Sequence, residues 1–190
     1  MSACLEIQSD RTNLTLVRFD PSHAPHVAAW VETDQELHWL APSTPPPLTA
    51  EKVIAWKHPG GTALVAVEPA SRFHQSLGAE PVGYAELNPM KGDANRHLWI
   101  GHVVVAPQLR GGGIGRAFVR SLLAYAFGTL AANRITLVVF PENRSAIRCY
   151  QSVGFAIVQK ERHRFGQSTT RHKLLRLSLG ASGYTVGMHE

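Results

Sequence analysis

Arg110-Gly111-Gly112-Gly113-Ile114-Gly115-Arg116 sets four glycines between two arginines. The apolar stretch Val103-Val104-Val105 runs into it, Pro107 ends that stretch, and an amphipathic pattern follows. The first amides of a helix have no intrahelical acceptor, and with the helix dipole they attract anions. Glycines remove the side chains that would hold a phosphate away from those amides. Arg110 and Arg116 add positive charge beside the same spot. Strand, glycine turn and helix in this order make a phosphate cradle. The competing reading is a helix entry that only needs flexible glycines.

The two familiar nucleotide loops do not fit. A P-loop needs Lys-Ser/Thr after its last glycine, and here Arg116-Ala117 follows Gly115. A dinucleotide fingerprint would need a glycine where Arg116 or Phe118 stands.

The elements that must hold this loop are legible from periodicity. Strands are expected at residues 14–19, 62–67, 81–87 and 97–105, the last leading into the loop. Short helices are expected at 21–31 and, behind the capping Thr49, through Trp56. A helix from Gly113 to about Phe127 carries Ile114, Phe118, Leu122 and Tyr125 on one face. Residues 135–140 read as a strand buried on both sides. Asn143 opens a helix with Ala146, Cys149, Tyr150 and Val153 on one face, and Gly154 closes it. Residues 155–164 and 169–179 read as a hairpin turning at Gly166-Gln167. The class is α/β (α+β) with one central sheet.

Composition narrows the function. The chain has 190 residues, 44% of them hydrophobic and 17% charged, which suits one globular domain. No uncharged apolar run reaches the roughly 18 residues of a membrane span. Glu6, Asp10, Arg11 and Arg18 interrupt the first twenty residues, so no export signal is expected and a cytoplasmic location is. Cys4 and Cys149 are the only cysteines, which excludes a disulfide scaffold and a cysteine-built zinc site. Residues 1–95 hold 6 Lys/Arg against 11 Asp/Glu, while residues 96–190 hold 13 against 3. The basic half suits a polyanion such as a coenzyme, and the acidic half suits a cation.

Arg110-x-x-Gly113-x-Gly115 behind a Val-rich strand resembles the acetyl-CoA pyrophosphate loop of the GNAT superfamily of N-acetyltransferases. Asn143-Arg144-Ser145-Ala146-Ile147-Arg148-Cys149-Tyr150, then Gly154-Phe155, resembles the family's second signature, Asn-x-x-Ala-x-x-x-Tyr followed by Gly-Phe. Each motif is short, but both occur at the expected spacing on the expected elements. The resemblance spans roughly residues 99–155, about a third of the chain. It implies a single domain over residues 1–190, with a mixed sheet of about six to seven strands flanked by helices. It also implies strands splayed at the acetyl-CoA site, acetyl-CoA as acyl donor, and no metal. Residues 1–60 carry no family motif, and the resemblance assigns them to the acceptor side.

Roles follow from the same resemblance. The backbones of Val103, Val104 and Val105 would hold the pantetheine arm and thioester, while their side chains serve an ordinary core strand. Gly111, Gly112, Gly113, Ile114, Gly115 and the flanking Arg110 and Arg116 would bind the pyrophosphate. Asn143 would touch pantetheine or simply cap its helix. Tyr150 would donate a proton to the departing CoA thiolate, a role that competes with plain core packing. The general base departs from the family's common strand glutamate, because that stretch reads Trp99-Ile100-Gly101-His102. His102 is the first candidate, since imidazole titrates near neutrality, and Glu86 on the neighbouring strand is the second. A satisfied buried histidine is the plain alternative. His97 and His102 fall on opposite faces of a regular strand, so they are not expected to share a metal.

The resemblance implies a primary amine as acceptor, on a small molecule or on a protein, and it is expected to be cationic because Glu32, Asp34 and Glu36 lie between Trp30 and Trp39. The same residues would also suit a core helix with a solvated face. Pro42 to Pro47 would form a lid or a plain connector. Two other classes compete with an enzyme. One is a non-catalytic acyl-CoA sensor. The other is a nucleic-acid surface on the basic hairpin, disfavoured because only Phe165 interleaves its cations. A homodimer is compatible with the sequence, and no motif demands one.

Overall fold

The computed structural model describes residues 14–56, 58–68, 80–90, 96–166 and 169–184. Alternating and β-branched runs form seven strands. They are β1 (Thr15–Arg18), β2 (Thr62–Val67), β3 (Pro81–Pro89), β4 (His97–Val105), β5 (Arg134–Val139), β6 (Ala156–His163) and β7 (His172–Gly180). They make one mixed sheet in the order β1-β2-β3-β4-β5-β7-β6. Every neighbouring pair is antiparallel except β4 and β5. The expected Gly166-Gln167 turn falls partly outside the described residues, since Gln167 is not among them.

Helices cover both faces. α1 (Ala24–Ala29) and α3 (Ala50–Ala55) lie over one core containing Val27, Val53, Val65, Tyr84 and Val104. α4 (Ile114–Ala124) and α5 (Arg144–Ser152) close the other, around Phe118, Leu122, Ile135, Leu137 and Tyr150. The wide apolar face of α4 was legible, although the helix relaxes into a π-turn at Tyr125–Thr129. α2 (Asp34–Leu40) is an additional helix that the periodicity did not separate from the aromatic run. Its signal is the capping pair Thr33-x-x-Glu36. Thr33 Oγ1 accepts from the Glu36 amide at 3.2 Å, and the Glu36 carboxylate accepts from the Glu32 amide at 2.9 Å.

The parallel pair is short. His97, Leu98 and Trp99 pair with Arg134, Ile135 and Thr136, and no register partner continues beyond Trp99 and Thr136. β4 stays bound to β3 as far as Val105, while β5 stays bound to β7 along its whole length. The two strands therefore diverge from Ile100 onward and open the middle of the sheet.

α4 sits close to the sheet because β3 offers it a glycine. A Cβ on Gly83 would lie 2.9 Å from the Phe118 ring, whose side chain is fully buried. Gly83→Ala should therefore destabilise the protein by about 1–3 kcal/mol through overpacking, as read from urea unfolding. Adding Phe118→Leu should restore part of that loss, because the two residues touch. A Gly83→Ala protein as stable as the parent would show that the ring has room to move.

Candidate active site

Where β4 and β5 part, a cavity of about 720 Å³ passes through the sheet. On the α4/α5 side it is lined by Val105, Val139, Ala146, Cys149 and Tyr150. On the α2/α3 side it meets Trp39, Thr44, Trp56, Trp99 and His102. A ligand entering from one face can thus reach a ligand entering from the other without crossing a strand. Val103, Val104 and Val105 lie at the waist, on the β4 segment that has left β5. On the edge that faces β5 their backbone groups have no strand partner, and the Val105 carbonyl there accepts from Arg110 instead.

A bulge in β4 prepares the wall. Tyr84 pairs with Val104 and Glu86 with Gly101, so His102 and Val103 both stand opposite Ala85. His102 takes a left-handed conformation at φ 50°. The extra residue turns its side chain to the face of Tyr84, Glu86 and Asn88. Regular alternation would have put His102 on the face opposite His97, and the bulge overturns that expectation. His97 is engaged elsewhere, with Nε2 3.1 Å from Thr136 Oγ1. Among the described residues no group of three or more His, Cys, Asp or Glu is placed to hold a metal ion.

Glu86 and His102, expected as competing candidates, form one unit. His102 Nδ1 lies 3.0 Å from Glu86 Oε1. Tyr84 donates its hydroxyl to the same oxygen at 2.7 Å, and Asn88 Nδ2 donates to Glu86 Oε2 at 3.1 Å. Glu86 is only 2% exposed and does not reach the cavity, whereas His102 does. Burial pushes the Glu86 carboxyl upward, but His102, Tyr84 and Asn88 outweigh it and hold its pKa below the ordinary value. Burial and the Glu86 charge push the Tyr84 hydroxyl up, so Tyr84 remains a donor. The Trp56 ring stacks on His102 at 4.3 Å, and Trp56 Nε1 donates to Thr44 Oγ1 at 2.9 Å. With Nδ1 facing Glu86, Nε2 is the ring atom left to the cavity.

The other side holds the remaining expected residues. Gly111 at φ 80° and Gly113 at φ 91° adopt a conformation that favours glycine. Gly113 caps α4 without a side-chain hydrogen bond, leaving the first amides of the helix for another acceptor. Gly111 and Gly115 line the cavity; Gly112 and Gly113 are exposed beside it, and Ile114 anchors the turn in the core. Arg116 is exposed, and its charge opposes the burial that raises the Cys149 thiol pKa. Asn143 also lines the cavity and caps α5, its Oδ1 accepting from the Ala146 amide at 3.2 Å. Tyr150 packs edge-on to Phe155, and burial raises its hydroxyl pKa, so it holds its proton at neutral pH.

Arg110 reaches toward the acceptor side. It donates to Glu36 Oε1 at 2.6 Å, to the Trp30 carbonyl at 2.6 Å and to the Val105 carbonyl at 3.1 Å. Glu32 lies 3.7 Å away, while Asp34 is exposed in the first turn of α2. The glycine loop is thereby tied to α2. The proline segment is tied down too, with Lys52 Nζ donating to the Pro45 and Pro47 carbonyls at 2.7 and 2.6 Å. That bonding favours the connector reading over the lid. In the basic hairpin, Arg176 forms a two-pronged pair with Glu161, which withdraws one cation from that surface. The sequence did not single out Tyr84, Asn88 or Trp56, because only the cross-strand register brings them to Glu86 and His102.

Comparison with known proteins agrees with this architecture. Residues 33–155 match the model of the Acetyltransferase (GNAT) family. The fold matches spermidine N-acetyltransferase from Vibrio cholerae, solved with CoA and spermine, at a TM-score of 0.70 and 18% identity. That match covers 90% of this chain and 97% of the other. RimJ of Mycobacterium smegmatis, solved with CoA-disulfide, matches at 0.68 and 21%, covering 89% and 82%. A GNAT-family acetyltransferase from Bacillus anthracis matches at 0.70 and 14%, covering 92% and 97%. At these identities the structural likeness is one of fold, whereas the family model covers well over half of the chain. The chain belongs to the GNAT family and is an acetyl-CoA-dependent N-acetyltransferase.

Proposed function

We propose that this protein transfers the acetyl group of acetyl-CoA directly to a primary amine across the opening between β4 and β5. The observation that carries this reading is the through-sheet cavity, with the Glu86–His102 pair on one side and Tyr150 on the other. The pyrophosphate would rest on the amides of residues 111–116, with Arg116 beside them. The thioester would lie along Val103–Val105, where a β4 amide can face its oxygen as charge develops. Asn143 would offer its amide nitrogen to the pantetheine arm, since its oxygen serves the cap.

Amines arrive as ammonium ions and must shed a proton before attack. His102 Nε2 would take that proton, and the ionised Glu86 would stabilise the resulting imidazolium without touching substrate. The amine nitrogen then bonds to the carbonyl carbon as the carbon–sulfur bond breaks. Tyr150 would give its proton to the departing thiolate, and the second amine proton, passed through solvent, would restore the phenol. Glu36 and Glu32 would attract a cationic acceptor, with part of their charge already balanced by Arg110. A sensor without turnover would not need an acid and a base on opposite sides of the thioester.

Tyr150→Phe should lower turnover about 10- to 1000-fold with acetyl-CoA affinity largely kept, measured by thiol release and by ligand-induced thermal shift. Unchanged turnover with chemistry rate-limiting would leave Tyr150 a packing residue. Glu86→Gln removes the charge that would stabilise the imidazolium formed as His102 takes the amine proton, so kcat should fall about 10- to 1000-fold with the acetyl-CoA KM largely kept. Because the folded Glu86 pKa is lowered, its stabilising contribution is present above the unfolded carboxylate pKa of about 4.3 and is lost as pH falls through the folded value. The stability gap between parent and Glu86→Gln should accordingly narrow below about pH 4. An unchanged kcat with chemistry rate-limiting would remove Glu86 from the proton path.

A further inference from the structure

We propose that the acceptor is a small primary amine carried on an aromatic or bulky apolar body, and that a polyamine is a poor one. This rests on the acetyltransferase reading and adds the chemistry of the group that enters from the α2/α3 side. Trp39, Trp56, Trp99, Phe140 and Phe165 all line the cavity; Phe140 is buried and the other four are half-buried. The indole of Trp99 lies over the β4 backbone, where a Cβ on Gly101 would sit 3.3 Å from it. Phe140 and Phe165 have ring centres 5.9 Å apart, and His38 of α2 is 4.8 Å from Phe140. Trp56 stacks on His102, so one ring of this wall adjoins the imidazole that would take the amine's proton.

Aromatic side chains that keep part of their surface open to one cavity are surface that a flat or apolar ligand would cover. They also attract one ammonium through cation–π contact. Charge on the wall argues against a second and third ammonium. Among the described lining residues Glu36 is the only carboxylate, and its Oε1 is already bonded to Arg110. The Glu86 carboxylate is buried behind His102 with its oxygens occupied by three donors. A polyamine would therefore bring more positive charge than this wall can balance, and its thin methylene chain would cover little of each ring.

The test compares kcat/KM for phenethylamine and tryptamine with that for spermidine, at saturating acetyl-CoA. The same amines are also titrated calorimetrically in the presence of CoA, which ranks binding whether or not transfer occurs. Both arylalkylamines should exceed spermidine by about tenfold or more in each measurement. Trp99→Ala and, as a second site on another element, Phe165→Ala should raise the arylalkylamine KM and shrink that ratio, with the acetyl-CoA KM largely kept. A preference for spermidine, or a ratio unchanged in both variants, would overturn the inference. Thermal stabilisation by acetyl-CoA is measured in parallel. Its absence would refute the transferase reading, whereas stabilisation together with a spermidine preference would refute only the acceptor class.

Discussion

The early end of the β4–β5 ladder is the constraint on which the rest of the site depends. Three residue pairs hold the parallel strands together, and then each strand follows its other neighbour. The bulge at His102 and Val103 bends β4 away, because one extra residue must be accommodated opposite Ala85. Leaving backbone amides and carbonyls of a central strand without ladder partners costs stability unless something else bonds them. Under the proposed function those groups would grip a chain-like, amide-bearing ligand. The same opening makes the cavity continuous between the two faces of the sheet.

A buried carboxylate at this position is costly on its own, and its surroundings show how the cost is offset. Glu86 has three hydrogen-bond donors, which keep it ionised despite burial. His102 accepts a left-handed backbone, roughly 1–2 kcal/mol unfavourable for a residue with a Cβ. The bond to Glu86 and the stack of Trp56 hold it there. Asn88 completes the set at some expense, since its Oδ1 is buried without a hydrogen-bond partner. That oxygen also requires Gly61 beside it, because a Cβ there would collide with Oδ1. Such local sacrifices concentrate where a side chain must be aimed.

Local chemistry made much of this visible in the sequence. β2 and β4 lie where their alternation and flanking turns put them, and Asn143 and Gly154 bound α5 as their cap chemistry requires. Interactions across the sheet were hidden. Nothing in Trp99-Ile100-Gly101-His102 announces a bulge, so regular alternation misplaced His102, and the pairing with Glu86 appears only in the strand register. Arg110 read as a phosphate ligand because its neighbours in sequence are glycines, whereas its guanidinium finds Glu36 on a distant helix. The Thr33-x-x-Glu36 cap of α2 was legible in principle and was masked by the aromatic run around it.

We propose that the acyl donor lies along the free segment of β4 with its phosphates on the glycine turn. Amide chemical shifts followed during titration with acetyl-CoA report on those backbone groups themselves. The largest changes should fall at Val103, Val104, Val105 and residues 111–116, with smaller ones at Asn143. Saturable binding that left those amides unmoved and shifted the β6–β7 hairpin instead would contradict it.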